Sequence, residues 1–217
     1  MANQKITELT ALTTIDAAAD WIPVVDFGGT PTTKKILPSN FFNAAAGKQT
    51  IFVPAGAMRP TTSNGCSVLT VVETTAGRPD MIVLDFATGA DEHAQFQVAF
   101  PKSWNEGTVT FQVFWTSTAT DTDGVAWGLQ GVSVANDSTI DVAYGSAVVV
   151  TDDNISAAED MLVTAESTAV TISGAAVDTM TFFRVFRDVS DGNDDMTEDA
   201  RLIGIKLHFT TDALTDG

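Results

Sequence analysis

Apolar and polar residues alternate along much of the chain from residue 49 onward. In residues 109–116 the odd positions are apolar and the even positions are largely polar, and the same rhythm returns in residues 96–100 and 202–209. A period of two belongs to a β-strand buried on one side, because successive side chains of a strand point to opposite faces. We therefore expect strands that have one core face and one solvent-exposed face.

Short runs rich in Val, Ile, Thr and Phe recur through this region, and turn-forming residues separate them. Such regular spacing is typical of a sandwich or a barrel. The predicted strands cover residues 67–72, 81–86, 93–100, 108–117, 124–134, 140–142, 147–151, 161–165, 170–172, 179–187 and 201–210. We predict an all-β fold, a two-sheet β-sandwich, with a jelly-roll-like topology because so many strands must be closed with few free edges.

A helix is predicted at only one place in this region, over residues 156–161. Ser156 can cap its first turn, and Glu159 lies three residues later, as in a capping box. The helix would be one or two turns long.

Residues 1–47 differ from the rest of the chain in their pattern of apolar and polar residues. They begin with spaced aliphatic side chains and continue with two β-like runs at residues 21–26 and 32–37. A segment of this size is too short to build a core of its own. We divide the chain into an N-terminal segment, residues 1–47, that gains stability by lying on something else, and a β-sandwich domain, residues 48–217.

Composition and charge narrow the class of protein. Of the 217 residues, 44% are hydrophobic, which is enough for a sizeable core, and no apolar run approaches the length of a membrane-spanning helix. Eleven basic residues face 28 acidic ones, so the net charge of −17 would repel phosphate backbones and anionic lipids. We expect neither nucleic acid nor membrane as a partner. Without a secretion signal at the N-terminus, synthesis is expected in a cytoplasm.

Residues that could carry catalysis are few. Cys66 is the single cysteine, so neither an internal disulfide nor a cysteine cluster for zinc is available. The two histidines, His93 and His208, lie within predicted strands and are interpreted as structural or surface residues. We find no nucleophile elbow, paired-histidine zinc motif or phosphate-binding loop. The chain is therefore predicted to be non-enzymatic and to need no cofactor.

Two acidic stretches have alternative interpretations. Residues 188–199 superficially suggest a calcium loop, but Gly192 falls at the fifth position instead of the sixth, so a solvated loop tip is favoured over a calcium site. Asp121 and Asp123 could form a glycosidase-type pair of carboxylates. Because Asp123 is followed by Gly124, a hairpin turn is favoured there instead.

The four tryptophans are also divided between core and surface. Trp115 and Trp127 lie in alternating strands, where core packing explains them. Trp104 lies beside a turn, so its ring either folds over the end of the sandwich or is exposed as a contact for a sugar ring.

Residues 5–12, 20–26 and 32–36 resemble the N-terminal segment of many structural proteins of tailed phages. In those proteins the segment has a leucine-bearing start, a strand ending in P-V-V-D and a strand of T-x-K-I type, and it serves as an attachment module. Residues 91–131 look like β-sandwich proteins encoded beside virion genes in aquatic phage genomes.

The resemblance implies a virion structural protein that is made in the host cytoplasm. The leading hypothesis is a capsid decoration (cement) protein that binds the major capsid protein on the capsid exterior, as a homotrimer, and stabilises the shell. The predicted capsid-docking residues are Ile6, Leu9, Leu12, Ile15, Trp21, Ile22, Val24 and Val25. The alternative is a tail- or fibre-associated module that recognises host glycan through Trp104.

Overall fold

The computed structural model describes residues 16, 19–26, 28, 30, 32–38, 40 and 47–216, which form a nearly all-β protein. The strands are β1 (Ile22–Asp26), β2 (Thr32–Ile36), β3 (Lys48–Pro54), β4 (Arg59–Pro60), β5 (Thr70–Glu73), β6 (Asp80–Phe86), β7 (Glu92–Val98), β8 (Thr110–Thr116), β9 (Gly124–Val134), β10 (Val148–Asp153), β11 (Leu162–Val163), β12 (Ile172–Ser173), β13 (Met180–Arg187) and β14 (Ala200–Thr210). A 3₁₀ turn, Ala55–Ala57, follows β3.

Two sheets form the sandwich. The β13 sheet has the order β10-β9-β13-β7-β4, with β12 beside β9, and the β14 sheet has the order β11-β8-β14-β6-β5, with β3 beside β14. Four consecutive strands of each sheet, β7-β13-β9-β10 and β6-β14-β8-β11, alternate between the sheets along the chain as the strands of two Greek keys do in a jelly roll. The predicted two-sheet sandwich with jelly-roll topology is confirmed.

Alternating side chains fill the space between the sheets. Phe111, Val113 and Trp115 of β8 point inward and are fully buried, as the period of two predicts. The ring of Trp127 from the opposite sheet packs edge-on against Trp115, with ring centroids 6.5 Å apart. The Trp115 indole N–H donates to a carboxylate oxygen of Asp152 at 2.8 Å, so its polar atom is satisfied inside the core.

Strand β14 changes partner midway along one edge. On this edge residues 200–202 pair with β6 and residues 204–210 pair with β3, and on the opposite edge the register with β8 shifts between Leu202 and Gly204. A Cβ on Gly204 would lie 2.6 Å from the ring of Phe52 and 2.9 Å from the carbonyl oxygen of Val53. Glycine is required here because the backbone of β3 and the Phe52 ring approach too closely for a side chain.

Two predicted elements are wrong. Residues 140–142 form no strand but belong to the loop between β9 and β10. Residues 156–161 form no helix, since Ser156 and Glu159 have φ angles of 60° and 61° in the left-handed region. Their amide N–H groups donate to the carbonyl oxygens of Asp121 and Ser117, so distant backbone acceptors replace the helical ones.

Strands β1 and β2 form a separate two-stranded antiparallel sheet, which we call the leader hairpin. Among the described residues, neither strand pairs with a strand of the sandwich. In the part of the chain that the structure covers, none of the helical turns has the length and apolar character needed to span a membrane.

Candidate functional site

The leader hairpin carries the predicted docking residues that can be placed. Trp21, just before β1, is 50% exposed, and the Lys35 ammonium lies 3.9 Å from the centroid of its ring. Ile22 and Val24 are half-buried and share one face of β1. Ile6, Leu9, Leu12, Ile15 and the side chain of Val25 lie outside the described residues.

Trp104 is part of the core, so the candidate glycan contact there is wrong. Its side chain is 1% exposed, and its ring stacks on Phe100 with the centroids 4.3 Å apart. The amide of the next residue, Asn105, donates to the carbonyl oxygen of Thr210 and ties the turn to the end of β14. The interpretation of a ring folded over the sandwich end is therefore correct, because Phe100 offers it an apolar platform.

The two histidines, which could act as acids or bases, contact other groups of the protein, and the one cysteine is buried. Nδ1 of His93 lies 3.2 Å from the carbonyl oxygen of Asn64, and Nδ1 of His208 lies 3.1 Å from the Thr50 hydroxyl. Burial lowers the pKa of both histidines. Cys66 is buried, and burial raises the pKa of its thiol to about 12, so it stays protonated near neutrality.

The acidic loop between β13 and β14 is less solvated than the sequence suggested. The Asp194 carboxylate is 2% exposed and pairs with the fully buried guanidinium of Arg187 at 2.8 Å. Arg187 also donates to the carbonyl oxygens of Phe86, Met196 and Glu198. A solvated tip is thus wrong for Asp194, because a buried arginine requires a partner. The only sequence signal was an arginine at an inward position of an alternating strand.

The paired carboxylates at the β9 turn have a structural role. The Asp121 carboxylate accepts the amide N–H of Asp123 at 3.2 Å, the geometry of a side chain that closes a turn. This contact fits a turn, but the predicted hairpin is wrong, because the flanking strands β8 and β9 lie in different sheets and do not pair with each other. Among the residues that the structure describes, no group of three or more His, Cys, Asp or Glu side chains is arranged to hold a metal ion.

The outer face of the β13 sheet carries a row of polar side chains. Arg59 of β4 is paired with Gln95 of β7, which is paired with Arg184 of β13, which is paired with Gln130 of β9. Because paired residues share a face, these four side chains line up across four strands. The Arg184 guanidinium donates to the amide oxygen of Gln130 through Nε at 3.0 Å.

A second row lies beside the first and is more apolar. Gln97, Phe182 and Val132 are paired across β7, β13 and β9. Gln97 is exposed and Phe182 is half-buried, although both lie in the middle of the sheet. The two rows together give a surface of amides, guanidinium groups and one aromatic ring.

The loop between β9 and β10, residues 135–147, crosses this face and forms one wall. Its Gly145 amide donates to the carbonyl oxygen of Gly131 at 3.1 Å, and Gln130 donates back to the carbonyl oxygen of Gly145 at 3.2 Å. The Tyr144 hydroxyl accepts a hydrogen bond from the Gln95 amide at 3.0 Å. The Arg184 guanidinium lies 5.0 Å from the centroid of the Tyr144 ring.

Three contiguous depressions follow this wall, and we call them together the β13 groove. They have volumes of about 220, 310 and 740 Å³. Arg59, Gln95 and Gln97 line both of the smaller ones, and Gln97, Ile140 and Phe182 line both of the larger ones. Pockets for small ligands measure roughly 300–1,000 Å³. The sequence could not reveal the groove, since strand register and the path of the loop create it.

No protein-family model matches the chain, and no curated protein is similar to it in sequence. Its fold is similar to solved carbohydrate-binding modules. The CBM36-1 domain of a xylanase from the hindgut metagenome of Trinervitermes trinervoides matches with a TM-score of 0.39 and 9% identity, over 73% of this chain and 96% of that one. A family 35 module from Clostridium thermocellum matches with 0.41 and 9%, over 73% and 97%. The family 11 module from Clostridium thermocellum, in complex with a mixed-linked tetrasaccharide, matches with 0.41 and 10%, over 78% and 98%.

Proposed function

We propose that the chain is a non-enzymatic structural protein of a tailed-phage virion and that the leader hairpin attaches it to the particle. The observation that carries the proposal is the separateness of that hairpin, whose two five-residue strands pair with each other and, among the described residues, with no strand of the sandwich. An isolated two-stranded hairpin is marginally stable in water, so a hairpin of this kind gains most by pairing with a partner.

The means of attachment follows from the geometry of a two-stranded sheet. Both of its strands are edge strands, and an edge strand presents backbone N–H and C=O groups to which another strand can add. Ile22 and Val24 on one face supply apolar area for the same contact, and the half-exposed Trp21, which lies against Lys35, adds apolar area at the start of β1. Strand addition to the major capsid protein, with Trp21, Ile22 and Val24 at the contact, is the mode of docking we propose.

The contacts of the sandwich support a structural role for it. The two histidines contact a backbone carbonyl oxygen and a threonine hydroxyl, and the acidic loop forms an ion pair with Arg187 through Asp194. We propose that the protein decorates the capsid exterior as a homotrimer at a local three-fold axis. Many copies with individually weak contacts would then stabilise the shell together.

The test is the occupancy of particles that lack the endogenous protein, measured after addition of purified variants. We expect Ile22→Asp combined with Val24→Asp to lower the affinity at least about tenfold, because two carboxylates would enter an apolar contact. The matched control is Val71→Asp, since Val71 is a 62% exposed valine on β5 of the sandwich. Cryo-electron microscopy of the decorated particles would show whether the added density lies on the shell or on the tail.

Two results would contradict the proposal. One is full occupancy by a chain from which residues 1–46 have been removed. The other is an equal loss of occupancy from Val71→Asp and from the double variant, which would place the contact on the sandwich instead of the hairpin.

A further inference from the structure

We propose that the β13 groove binds an oligosaccharide that carries a carboxylate, and that Arg59 recognises this carboxylate. The proposal is independent of virion attachment, because the groove lies on the outer face of the sandwich and the attachment proposal concerns the leader hairpin. It replaces Trp104 as the place where this chain would meet a glycan.

The charge of the groove differs from the charge of the molecule. The chain carries 28 acidic and 11 basic residues, yet two arginines lie in one row of this face. Arg187 pairs with Asp194, and Arg201 pairs with Asp85 and Glu159. Among the described residues, by contrast, no carboxylate lies within ion-pair distance of Arg59 or Arg184. An anion held here would meet positive charge that the protein itself does not neutralise.

The geometry of the row suits a carboxylate. Arg59 and Arg184 flank Gln95 on neighbouring strands, and strand spacing places their backbones about 10 Å apart. Arg184 is held in place by Gln130 and lies against Tyr144, so it is preorganised. Arg59 is exposed and has no hydrogen bond to another described residue, which leaves its planar fork of N–H groups available for a bidentate contact.

The second row offers what sugar hydroxyl groups and ring faces require. Gln97 is exposed, and its amide has no hydrogen bond within the described part of the chain, so one acceptor and two donors remain for hydroxyl groups. The half-buried Phe182 ring lies next to it and can pack against the C–H face of a sugar ring. Ile140 and Met180, 69% and 42% exposed, extend this apolar strip toward the largest depression.

The two ends of the groove differ, which fixes the direction of the ligand. Asp137 and Asp178 line the largest depression, whereas Arg59 lines the two smaller ones. A carboxylate is attracted at the Arg59 end and repelled at the other. We infer that the acidic sugar lies at the β4 end and that uncharged sugars continue along Phe182. Glycans with uronic acids separated by neutral sugars should therefore bind better than continuous polyuronates.

The experiment is an array of uronate-bearing and neutral oligosaccharides of equal length, probed with the full chain and followed by calorimetric titration of the strongest binder. We expect binding to uronate-bearing members that weakens with added salt. Arg59→Ala should lower the affinity at least about tenfold, which corresponds to about 1.4 kcal/mol. The affinity of Arg59→Lys should lie between those of the unsubstituted chain and Arg59→Ala, since lysine keeps the positive charge but loses the planar fork of N–H groups. Gln97→Ala should also weaken binding.

The control variant is Arg78→Ala, which removes an exposed arginine at the β5–β6 turn and should leave the affinity unchanged. Silence across the uronate-bearing members, stronger binding of the neutral members, or equal losses from Arg59→Ala and Arg78→Ala would each overturn the proposal. Occupancy of particles by the Arg59→Ala variant should remain complete. A failure of glycan binding is thereby distinguished from a failure of virion attachment.

Discussion

The leader hairpin and the sandwich use the same local structure but obtain stability in different ways. β1 and β2 have five residues each and, among the described residues, one strand neighbour each, and their described side chains are exposed or half-buried. β13 has eight residues and is paired on both sides, with β7 and β9, and its Phe183 and Val185 are fully buried.

From this difference we expect that burial, and not strand pairing, sets the stability of each region. Backbone hydrogen bonds contribute only modestly in net terms, because water would otherwise satisfy the same groups. Burial of large apolar side chains between two sheets contributes far more, at roughly 25 cal/mol per Å² of area removed from water. Among the described residues, the hairpin has the pairing but no second layer packed on it, so we expect its substitutions to affect attachment while core substitutions affect unfolding.

The largest difference in stability that we expect is between the alanine substitutions of two tryptophans, one in the sandwich and one in the hairpin. Trp104→Ala should lower the free energy of unfolding by about 3–5 kcal/mol, because it leaves a cavity beside Phe100. Trp21→Ala should change it by less than about 0.5 kcal/mol, since the ring lies on the hairpin and is half exposed. Urea denaturation followed by circular dichroism measures both. Equal losses of stability would mean that the hairpin is an integral part of the sandwich.

How far the sequence predicts the fold depends on whether a feature is local. Alternation predicted β7, β8 and β14 closely, and runs of Val, Ile, Thr and Phe between turn-forming residues predicted β6, β9 and β13, because both signals are local to each strand. The strand at residues 140–142 and the helix at residues 156–161 failed because contacts with distant segments decide both. The Ser156 amide, for example, bonds to the carbonyl oxygen of Asp121.

The candidate sites were harder to predict than the fold. Gln95 and Arg184 are almost ninety positions apart in the sequence and become neighbours only through the register of β7 and β13. Trp104 was correctly placed beside a turn, but its burial depends on Phe100 and the end of β14. A single sequence contains no direct record of register, so a surface assembled from four strands cannot be read from it.

A charge contact in each region provides a second, somewhat smaller contrast. Asp194→Ala should lower the free energy of unfolding by about 3 kcal/mol, because it leaves the fully buried Arg187 without its anionic partner. Lys35→Ala, which removes the cation over Trp21, should change it by less than about 1 kcal/mol because that contact is solvent-exposed. Asp199→Ala, in the same acidic loop but exposed, is the matched control. If Asp194→Ala and Asp199→Ala had equal effects, the Arg187 contact would not be what fixes the loop.

The smallest expected effect concerns pH and belongs to the sandwich alone, because both histidines lie in its strands. Burial lowers the pKa of His93 and His208 in the folded state below the ordinary value of 6.5. The unfolded chain then binds more protons in the interval between the lowered pKa and 6.5, so stability rises with pH across this interval and is lost as the pH falls through the folded pKa.

Urea midpoints measured between about pH 5 and pH 8 should therefore decrease on acidification. The double variant His93→Gln and His208→Gln should flatten this dependence, because an amide can keep a hydrogen bond to the Asn64 carbonyl and to Thr50 without titrating. Trp21→Ala should leave the slope unchanged, since it removes no titrating group from the sandwich.

A slope that persists in the double variant would assign the effect to carboxylates. Burial raises the pKa of Asp85 and Asp152, which makes their contribution opposite in sign, so they would have to be outweighed by other acidic groups.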